Sequence, residues 1–272
     1  MKRRLQAIAI EGIRMQSRRK DEAMSVVGDV RALGQMKSRF LEREREVWVW
    51  LPPGWKEGKK YPVLVLHDGR QVFEPETSTW GVDWGVDDVG QRMVEAGEVR
   101  PFVAVAVDCT EAREWEYAPD GGGENYLRFL EEELVPRVER EFGGTGEKFV
   151  AGASMGGLIS FMAEWRRPEY WAGAACLSPA FCGNWKEWAL QSIASDCSRL
   201  PSRFLVACGG KGELEQTLLA GTKEVVGAMR AAGWGEDTLK VRWEEGEEHN
   251  EAAWAKLVPW ILREFFGNGG SE

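Results

Sequence analysis

Short apolar runs alternate with longer amphipathic stretches along most of the chain. Continuous apolar runs bounded by polar residues are typical of strands that are covered on both faces of a sheet. The predicted strands span residues 47–51, 63–66, 102–107, 149–153, 172–177, 203–208 and 239–243.

The stretches between these runs carry apolar residues at helical spacing. Residues 126–142 are amphipathic and predict a helix kinked at Pro136. Residues 213–231 also carry apolar side chains at helical spacing. A last helix is expected after Asn250, a plausible N-cap, with a bend or break at Pro259. This alternation predicts one α/β domain with a mostly parallel central sheet, in which sites form beyond the carboxyl ends of the strands.

The charge is unevenly distributed. The chain has 272 residues and a net charge of −9, but residues 1–45 contain 12 basic and 6 acidic residues. The remainder is therefore strongly acidic, which argues against general binding of nucleic acid, since a phosphate backbone requires clustered Lys and Arg. Nucleic-acid binding through the basic first 45 residues is a remote alternative.

The N-terminal segment does not resemble a signal peptide. Its apolar run, "LQAIAI", has only six residues and is followed by Glu11. The sequence has no stretch long and apolar enough for a membrane span. These observations predict a cytoplasmic protein without a membrane partner.

The five cysteines lack CxxC spacing, which favours buried free thiols and a reducing compartment. With only two histidines, His67 and His249, far apart in the chain, no zinc site is expected.

A glycine-rich motif joins the fourth predicted strand to an apolar helix. Residues 152–156 read G-x-S-x-G, in the strand–turn–helix context that a nucleophile elbow requires. Such a turn places its serine in a strained, exposed position, and the helix N-terminus directs backbone N–H groups at a developing oxyanion. We therefore expect Ser154 to be a nucleophile. The alternative is a turn whose serine only caps the helix.

A serine nucleophile needs a base, and two histidines are available. His67 directly follows a predicted strand and is one candidate. His249 follows the last predicted strand, and only His249 satisfies the chain order Ser…acid…His of such hydrolases. The sequence favours His249; the alternative is a surface-loop histidine.

The acid is expected in the loop "GGKGELEQ", which follows the strand 203–208. Glu213 and Glu215 are both available, and Glu213 is preferred because it lies closer to the strand end. Either carboxylate could instead serve only to stabilise the start of the helix through its macrodipole. Asp196 and Asp237 lie in the right interval at less suitable positions.

Several motifs together resemble the putative esterase family of α/β-hydrolases. This family includes esterase D, enterochelin esterases, feruloyl and acetyl-xylan esterases, and mycolyltransferases. The likeness covers roughly residues 40–267. Its landmarks are "LPPGW" (51–55), "YPVLVLHDGRQVF" (61–73), "REWEYAP" (113–119), "AGASMGG" (151–157), "CGGKGELE" (208–215) and "HNEAAW" (249–254).

The resemblance implies an α/β-hydrolase fold with helices on both faces of the sheet. It places the esterase domain at residues 40–267, between a basic leading segment, 1–39, and a tail, 268–272.

The resemblance also implies the catalytic groups. Ser154 would be the nucleophile and His249 the base. Glu213 followed by Leu214 matches the acid position of mycolyltransferases, although other relatives carry aspartate in this loop. The backbone N–H groups of Arg70 and Met155 would form the oxyanion hole. His67 and Asp68 would then shape the loop and the pocket wall.

Fourteen tryptophans are many for this length, and most are expected to pack in the core. Trp80, Trp84 and Trp115 lie in segments expected to overhang the site. Sugar rings and aryl acids both stack on indole faces, so these residues predict a small-molecule, carbohydrate or aryl ester as substrate. The alternative, that they only pack the loops, is equally compatible with the sequence.

The leading hypothesis is thus a serine carboxylic-ester hydrolase that needs no metal and no organic cofactor. An acyltransferase with the same triad is the nearest alternative. A non-catalytic α/β-hydrolase-like binding protein is a third, but the presence of both Ser154 and His249 disfavours it.

Overall fold

Eight strands of the described residues form one sheet. The computed structural model describes residues 26–78, 81–195 and 203–268. The strands are β1 (Asp29–Met36), β2 (Arg45–Leu51), β3 (Tyr61–His67), β4 (Val103–Val107), β5 (Gly144–Ala153), β6 (Gly173–Leu177), β7 (Phe204–Gly209) and β8 (Leu239–Glu244). All seven predicted strands are present, within a few residues of their predicted ends.

The sheet is mostly parallel, as predicted. Its strand order is β1-β2-β4-β3-β5-β6-β7-β8. Only β2 runs against the others, because it pairs antiparallel with both β1 and β4, while the remaining neighbours are parallel. Because these strands are parallel, the loops that follow them all lie at one edge of the sheet, beyond the carboxyl ends of the strands.

The first strand lies within the segment 1–39, which the sequence analysis treats as a leading extension. Residues Asp29–Met36 pair with β2 along its whole length, so the sheet begins before residue 40. Residues 1–25 of the predicted basic segment 1–39, and residues 269–272 of the predicted tail 268–272, lie outside the described residues.

The helices are α1 (Val86–Glu95), α2 (Arg113–Glu116), α3 (Gly123–Phe129), α4 (Val135–Phe142), α5 (Met155–Arg166), α6 (Gly183–Ser195), α7 (Glu213–Ala231), α8 (Glu251–Ala255) and α9 (Val258–Phe266). A π-helical turn, Leu130–Leu134, joins α3 to α4 immediately before Pro136, so the predicted kink takes the form of a widened turn. The predicted break at Pro259 is confirmed, because this residue lies in the first turn of α9, separate from α8.

The sheet is covered by helices on both faces, as predicted. Alternate residues of β3 enter two different apolar clusters: Val63 and Val65 pack in the cluster that contains α3 to α7, and Leu64 and Leu66 pack in the cluster that contains α1, α8 and α9. This explains why β3 is buried at every position and reads as a continuous apolar run.

Candidate active site

Ser154 occupies a strained backbone position between β5 and α5. Its φ and ψ angles are 59° and −121°. In the part of the chain that the structure describes, the other non-glycine residues with positive φ are Asp68 and Ser178. All three follow directly on β3, β5 or β6, so the backbone strain is concentrated at the carboxyl edge of the sheet.

Glycines allow the elbow to close tightly. A Cβ atom on Gly152 would lie 2.5 Å from the carbonyl carbon and oxygen of Gly156. On Gly157 it would lie 3.0 Å from the carbonyl oxygen of Leu177. The start of α5 therefore packs directly on the end of β5, in the geometry that the G-x-S-x-G spacing predicts.

The amide of Met155 is the first of α5. An N–H group in the first turn has no acceptor within its own helix, and it lies at the positive end of the helix macrodipole. The N–H of Met155, next to Ser154, is therefore available to an oxygen atom in the site. This position agrees with its predicted role in the oxyanion hole, which stays a prediction.

Arg70 lies in a 3-10 turn, Gly69–Gln71, directly after Asp68. Its guanidinium pairs with the carboxylate of Asp108 and is half-exposed. Arg70 does not line the cavity at Ser154, while Asp68 and Gln71 near it in the chain do. Only the backbone N–H of Arg70 is invoked for the oxyanion hole, and that role also stays a prediction.

His249 is held by a carboxylate on α7. Its Nδ1 lies 2.6 Å from Oε2 of Glu215. The other oxygen of Glu215, Oε1, accepts hydrogen bonds from the hydroxyl of Ser178 at 2.5 Å and from the backbone N–H of Gly209 at 2.6 Å. Burial would raise the pKa of this carboxyl, but the hydrogen bonds from His249, Ser178 and Gly209 outweigh burial and hold the pKa below its ordinary value. Glu215 is thus a buried carboxylate that is held in its charged form.

The preferred acid of the sequence analysis, Glu213, is not the residue that contacts His249. Glu213 is exposed at the start of α7. Residues two positions apart on a helix point to nearly opposite sides, so only one of the two glutamates can face His249. The structure places Glu215 there, so Glu215 replaces Glu213 as the candidate for the acid.

Ser154 and His249 line one cavity of about 280 Å³. Both side chains are partly exposed, so the cavity is accessible from solvent. The complete lining is Asp68, Gln71, Trp84, Cys109, Arg113, Ala153, Ser154, His249, Glu251 and Trp254.

The three tryptophans of the sequence analysis have different positions. Trp84 is buried in the cavity wall, with its ring centroid 6.3 Å from that of Trp254, and Trp254 in turn contacts the ring of His249 edge-on. Trp115 lies outside the cavity and is exposed. Trp80 lies outside the described residues. Trp254, which the sequence analysis did not select, therefore supplies the second aromatic wall.

Arg113 lines the cavity, but its charge is neutralised by a neighbour. Its Nε and Nη2 atoms lie 2.6 Å from the two carboxylate oxygens of Asp68. Although burial lowers the pKa of the guanidinium, the charge of Asp68 raises it overall. Glu116, three residues after Arg113, does not pair with it and instead contacts the buried Arg45 at 2.9 Å.

Two further ionisable side chains line the cavity, and sequence reasoning did not select them. Glu251 is buried two residues after His249, and burial together with the charge of Asp68 raises the pKa of its carboxyl. Burial and the carboxylates of Asp68 and Asp108 raise the pKa of the Cys109 thiol to about 12, which keeps the thiol protonated at neutral pH. Cys109 therefore does not compete with Ser154 as a nucleophile.

His67 belongs to the protein core. Its Nδ1 lies 2.9 Å from the hydroxyl of Tyr126, and its Nε2 is buried without a partner in the described residues. Burial lowers the pKa of the imidazole to about 4. His67 does not line the cavity at Ser154.

Within residues 26–78, 81–195 and 203–268, no cluster of His, Cys, Asp and Glu side chains is arranged to hold a metal ion. In the same ranges, no helix combines the length and apolar character that crossing a membrane requires.

Comparisons with known proteins point to one family. A family model described as "Putative esterase" matches residues 38–265. The chain is 27% identical over 227 residues to an endo-1,4-beta-xylanase/feruloyl esterase of Xylanibacter ruminicola, covering 80% of this chain and 29% of that protein. It is 26% identical over 211 residues to the ferri-bacillibactin esterase of Bacillus subtilis, covering 66% of this chain and 69% of that protein.

Among solved structures, the enterobactin esterase of Shigella flexneri superposes with a TM-score of 0.73 at 18% identity, over 90% of this chain and 60% of that one. This likeness supports the α/β-hydrolase fold. The chain thus spans less than a third of the xylanase/feruloyl esterase and about three fifths of the enterobactin esterase.

Proposed function

The chain belongs to the putative esterase family, and we propose that it hydrolyses carboxylic esters through an acyl-enzyme formed on Ser154. Membership of the family confirms the resemblance found in the sequence. The observation that carries the proposed mechanism is the hydrogen bond between His249 and Glu215, on a histidine that lines the same cavity as Ser154.

The contact with Glu215 determines which nitrogen of His249 can act as the base. Nδ1–H donates a hydrogen bond to the carboxylate of Glu215, so the neutral imidazole carries its proton on Nδ1 and its free electron pair on Nε2. Nε2 then takes the proton of the Ser154 hydroxyl as Oγ attacks the carbonyl carbon of the ester. Glu215 orients the ring and stabilises the imidazolium that forms.

The tetrahedral intermediate places a negative charge on the former carbonyl oxygen. The N–H of Met155, at the N-terminus of α5, and the N–H of Arg70 would hold this oxygen. Each such donor lowers the barrier by about 3 kcal/mol. The imidazolium of His249 next gives its proton to the departing alkoxide, so the alcohol leaves and the acyl group remains on Ser154.

Deacylation repeats the same steps with water as the nucleophile. His249 takes a proton from water, water attacks the acyl carbon, and Ser154 recovers its hydrogen as the carboxylic acid leaves. The partial exposure of Ser154 and His249 supports water as the acceptor over a second alcohol. All these steps use side chains and backbone groups of the chain itself.

The cavity supports an uncharged ester with an aryl or carbohydrate component. Trp84 and Trp254 line it, and the only guanidinium among its described lining residues, that of Arg113, already pairs with Asp68. A free anionic group would therefore find little compensation for its desolvation. An ester of an aryl acid is consistent with the name of the feruloyl esterase relative.

Hydrolysis of short-chain p-nitrophenyl esters by wild type, Ser154→Ala and His249→Ala tests the proposal. Both variants should lose at least about a thousandfold in kcat/KM while retaining the wild-type circular dichroism spectrum. A fluorophosphonate should label Ser154 in the wild type and should not label Ser154→Ala. A wild type that neither hydrolyses esters nor reacts with the fluorophosphonate would support a non-catalytic binding protein instead.

A further inference from the structure

Arg113 connects three segments at the carboxyl edge of the sheet. It begins α2, in the connection that follows β4. Its Nε and Nη2 atoms lie 2.6 Å from the two carboxylate oxygens of Asp68, the first residue after β3. Nη2 also donates to the carbonyl oxygen of Ala153, the last residue of β5, at 3.3 Å. Since β4, β3 and β5 are neighbours in the sheet, one guanidinium joins the ends of three adjacent strands.

Both acceptors lie close in the chain to the groups proposed for the oxyanion hole. Asp68 precedes Arg70 by two residues, and Ala153 precedes Met155 by two residues. The N–H groups of Arg70 and Met155 would have to hold one oxygen atom together, so the separation of their backbone segments must be set before the reaction begins. The contacts of Arg113 are in the right place to set it.

The turn after β3 needs a restraint from outside. Asp68 has φ and ψ angles of 58° and 52°, which are left-handed. A residue with a side chain keeps such angles only where the surrounding contacts impose them. Glycine would adopt them without cost, but it would offer no carboxylate to Arg113. The aspartate therefore exchanges backbone freedom for a fixed contact.

Close packing already restrains two sides of this turn. A Cβ atom on Gly69 would lie 2.7 Å from the amide nitrogen of Asp108, so the turn packs directly on the end of β4. A Cβ atom on Gly156 would lie 3.1 Å from Oδ2 of Asp68, so this carboxylate lies against the first turn of α5. The ion pair with Arg113 adds a third restraint, and this one also reaches β5.

The ion pair is rigid and largely shielded from water. The side chains of Arg113 and Asp68 are only 29% and 13% exposed. The guanidinium lies over the buried ring of Tyr117, 5.4 Å from its centroid. A bidentate arginine–carboxylate pair fixes orientation as well as distance. These features suit a support for backbone groups better than a binding site for a substrate anion.

We propose that Arg113 is a positioning residue for the oxyanion hole. Through Asp68 and Ala153, it fixes the turn that carries the N–H of Arg70 relative to the elbow that carries the N–H of Met155. The inference rests on the proposed ester hydrolysis and deepens it, because it names the residue that holds the two donors in register. Arg113 acts through these groups and does not contact the reacting atoms.

Steady-state kinetics on p-nitrophenyl acetate test this role. Arg113→Gln should lower kcat by about a hundredfold, the cost of displacing a catalytic group by roughly 1 Å, while KM changes by less than about twofold. Arg113→Lys keeps the charge but cannot bridge both carboxylate oxygens, so its kcat should lie between the two. The matched control is Arg43→Gln, which removes the pair of Arg43 with Glu111, 2.9 Å apart and outside the cavity, and should leave kcat unchanged.

A double-mutant cycle assigns the effect to the pair with Asp68. Asp68→Asn should lower kcat as Arg113→Gln does, and the double variant should lose no more than either single variant. Additive losses would overturn the proposal, as would an unchanged kcat in Arg113→Gln. An anionic ester, p-nitrophenyl hemisuccinate, tests direct binding. A rise in KM for this ester alone in Arg113→Gln, with kcat retained, would make Arg113 a substrate-binding residue and would also overturn the proposal.

Hydrogen exchange separates this role from the esterase activity. The amides of Gln71 and Val72 donate to the carbonyl oxygens of Asp68 and Gly69 within the turn, at 2.9 and 3.2 Å. In Arg113→Gln these amides should exchange about tenfold faster than in wild type, while exchange in β7 stays unchanged. Equal exchange in the two proteins would overturn the positioning role even if esters are hydrolysed. Faster local exchange in a protein inert towards esters would retain the restraint of the turn and reject the hydrolase.

Discussion

The hydroxyl of Ser178 donates to Oε1 of Glu215 at 2.5 Å and accepts a hydrogen bond from the indole N–H of Trp254 at 3.1 Å. Ser178 thus links the carboxylate that holds His249 to an aromatic wall of the catalytic cavity. Ser178 itself has a positive φ, 40°, directly after β6. The orientation of His249 therefore depends on residues that follow three different strands, β6, β7 and β8.

Replacing Glu215 should remove most of the activity. Glu215→Gln keeps the shape of the side chain, but the neutral amide replaces the negatively charged acceptor of the hydrogen bond from Nδ1–H of His249. The comparable change in a serine protease triad reduces kcat by about 10⁴, and we expect a loss of that order in kcat on p-nitrophenyl acetate. Glu213→Gln is the matched control and should retain wild-type activity, since Glu213 is exposed. A larger loss in Glu213→Gln than in Glu215→Gln would make Glu213 the acid.

Replacing Ser178 should weaken catalysis through Glu215. In Ser178→Ala the carboxylate keeps its bonds from His249 and Gly209 but loses one donor, so kcat should fall by roughly tenfold. The loss of a donor to the charged form raises the pKa of Glu215. The pH at which Glu215 itself ionises, followed by the pH dependence of urea unfolding at acid pH, should therefore be higher in the variant. A lower kcat with an unchanged pH dependence of stability would indicate that Ser178 does not act through the charge of Glu215.

His67 should make the fold sensitive to acid. In the native state burial lowers its pKa to about 4, whereas an unfolded chain protonates its histidine near the ordinary value of 6.5. Between these pH values the unfolded state binds a proton that the native state does not. As pH falls from 6.5 to 4, protonation of His67 in the unfolded state therefore lowers the free energy of unfolding by up to ~3 kcal/mol. Below pH 4 both states carry this proton, so His67 causes no further decrease.

The variant His67→Asn isolates this effect. Urea unfolding at several pH values should show a shallower decrease in stability between pH 6.5 and 4 in the variant than in wild type. The comparison is of slopes, so a uniform loss of stability on substitution does not affect it. Parallel curves for the two proteins would show that His67 does not titrate as its burial implies.

Gly152 should tolerate no side chain. A Cβ atom there would lie 2.5 Å from backbone atoms of Gly156, so Gly152→Ala must displace α5 from β5. Overpacking of this kind costs about 1–3 kcal/mol, and the melting temperature and kcat/KM should both fall. Gly227→Ala is the control: Gly227 lies within α7, and a Cβ atom added there would meet nothing within 4 Å, so alanine should stabilise the helix by about 1 kcal/mol.

The strands β2 to β7 could be predicted because each contains a run of buried apolar residues, whereas β8 was predicted although only its first residue, Leu239, is buried. The missing strand, β1, is an edge strand whose residues are mostly exposed, so it contains no continuous apolar run. It pairs with β2, the next strand along the chain, and this pairing supplies the backbone hydrogen bonds that a local hydrophobic pattern does not report. The break at Pro259 and the cap at Asn250 were predictable because both follow from the chemistry of a single residue; the side chain of Asn250 accepts from the N–H of Ala253 at 3.0 Å.

The site was only partly predictable. Ser154 and His249 follow from a motif and from chain order, and both line one cavity. The choice between Glu213 and Glu215 depends on the rotation of α7 relative to the loop after β8, and both residues read equally well as first-turn carboxylates. Ser178 and Glu251 gave no signal, because a serine before proline and an acidic residue at a helix start are ordinary features of a chain.

The positive φ of Ser154 lowers the stability of the fold at the same residue that supplies the proposed nucleophile. A non-glycine residue in a sparsely populated backbone region costs about 1–3 kcal/mol, which the rest of the fold must offset. Glycine adopts such angles freely, so Ser154→Gly should unfold at a higher temperature than the wild type while losing its nucleophile. The wild-type chain thus tolerates a permanent thermodynamic penalty at the residue on which its proposed chemistry depends, and selection for heat resistance alone would remove that residue.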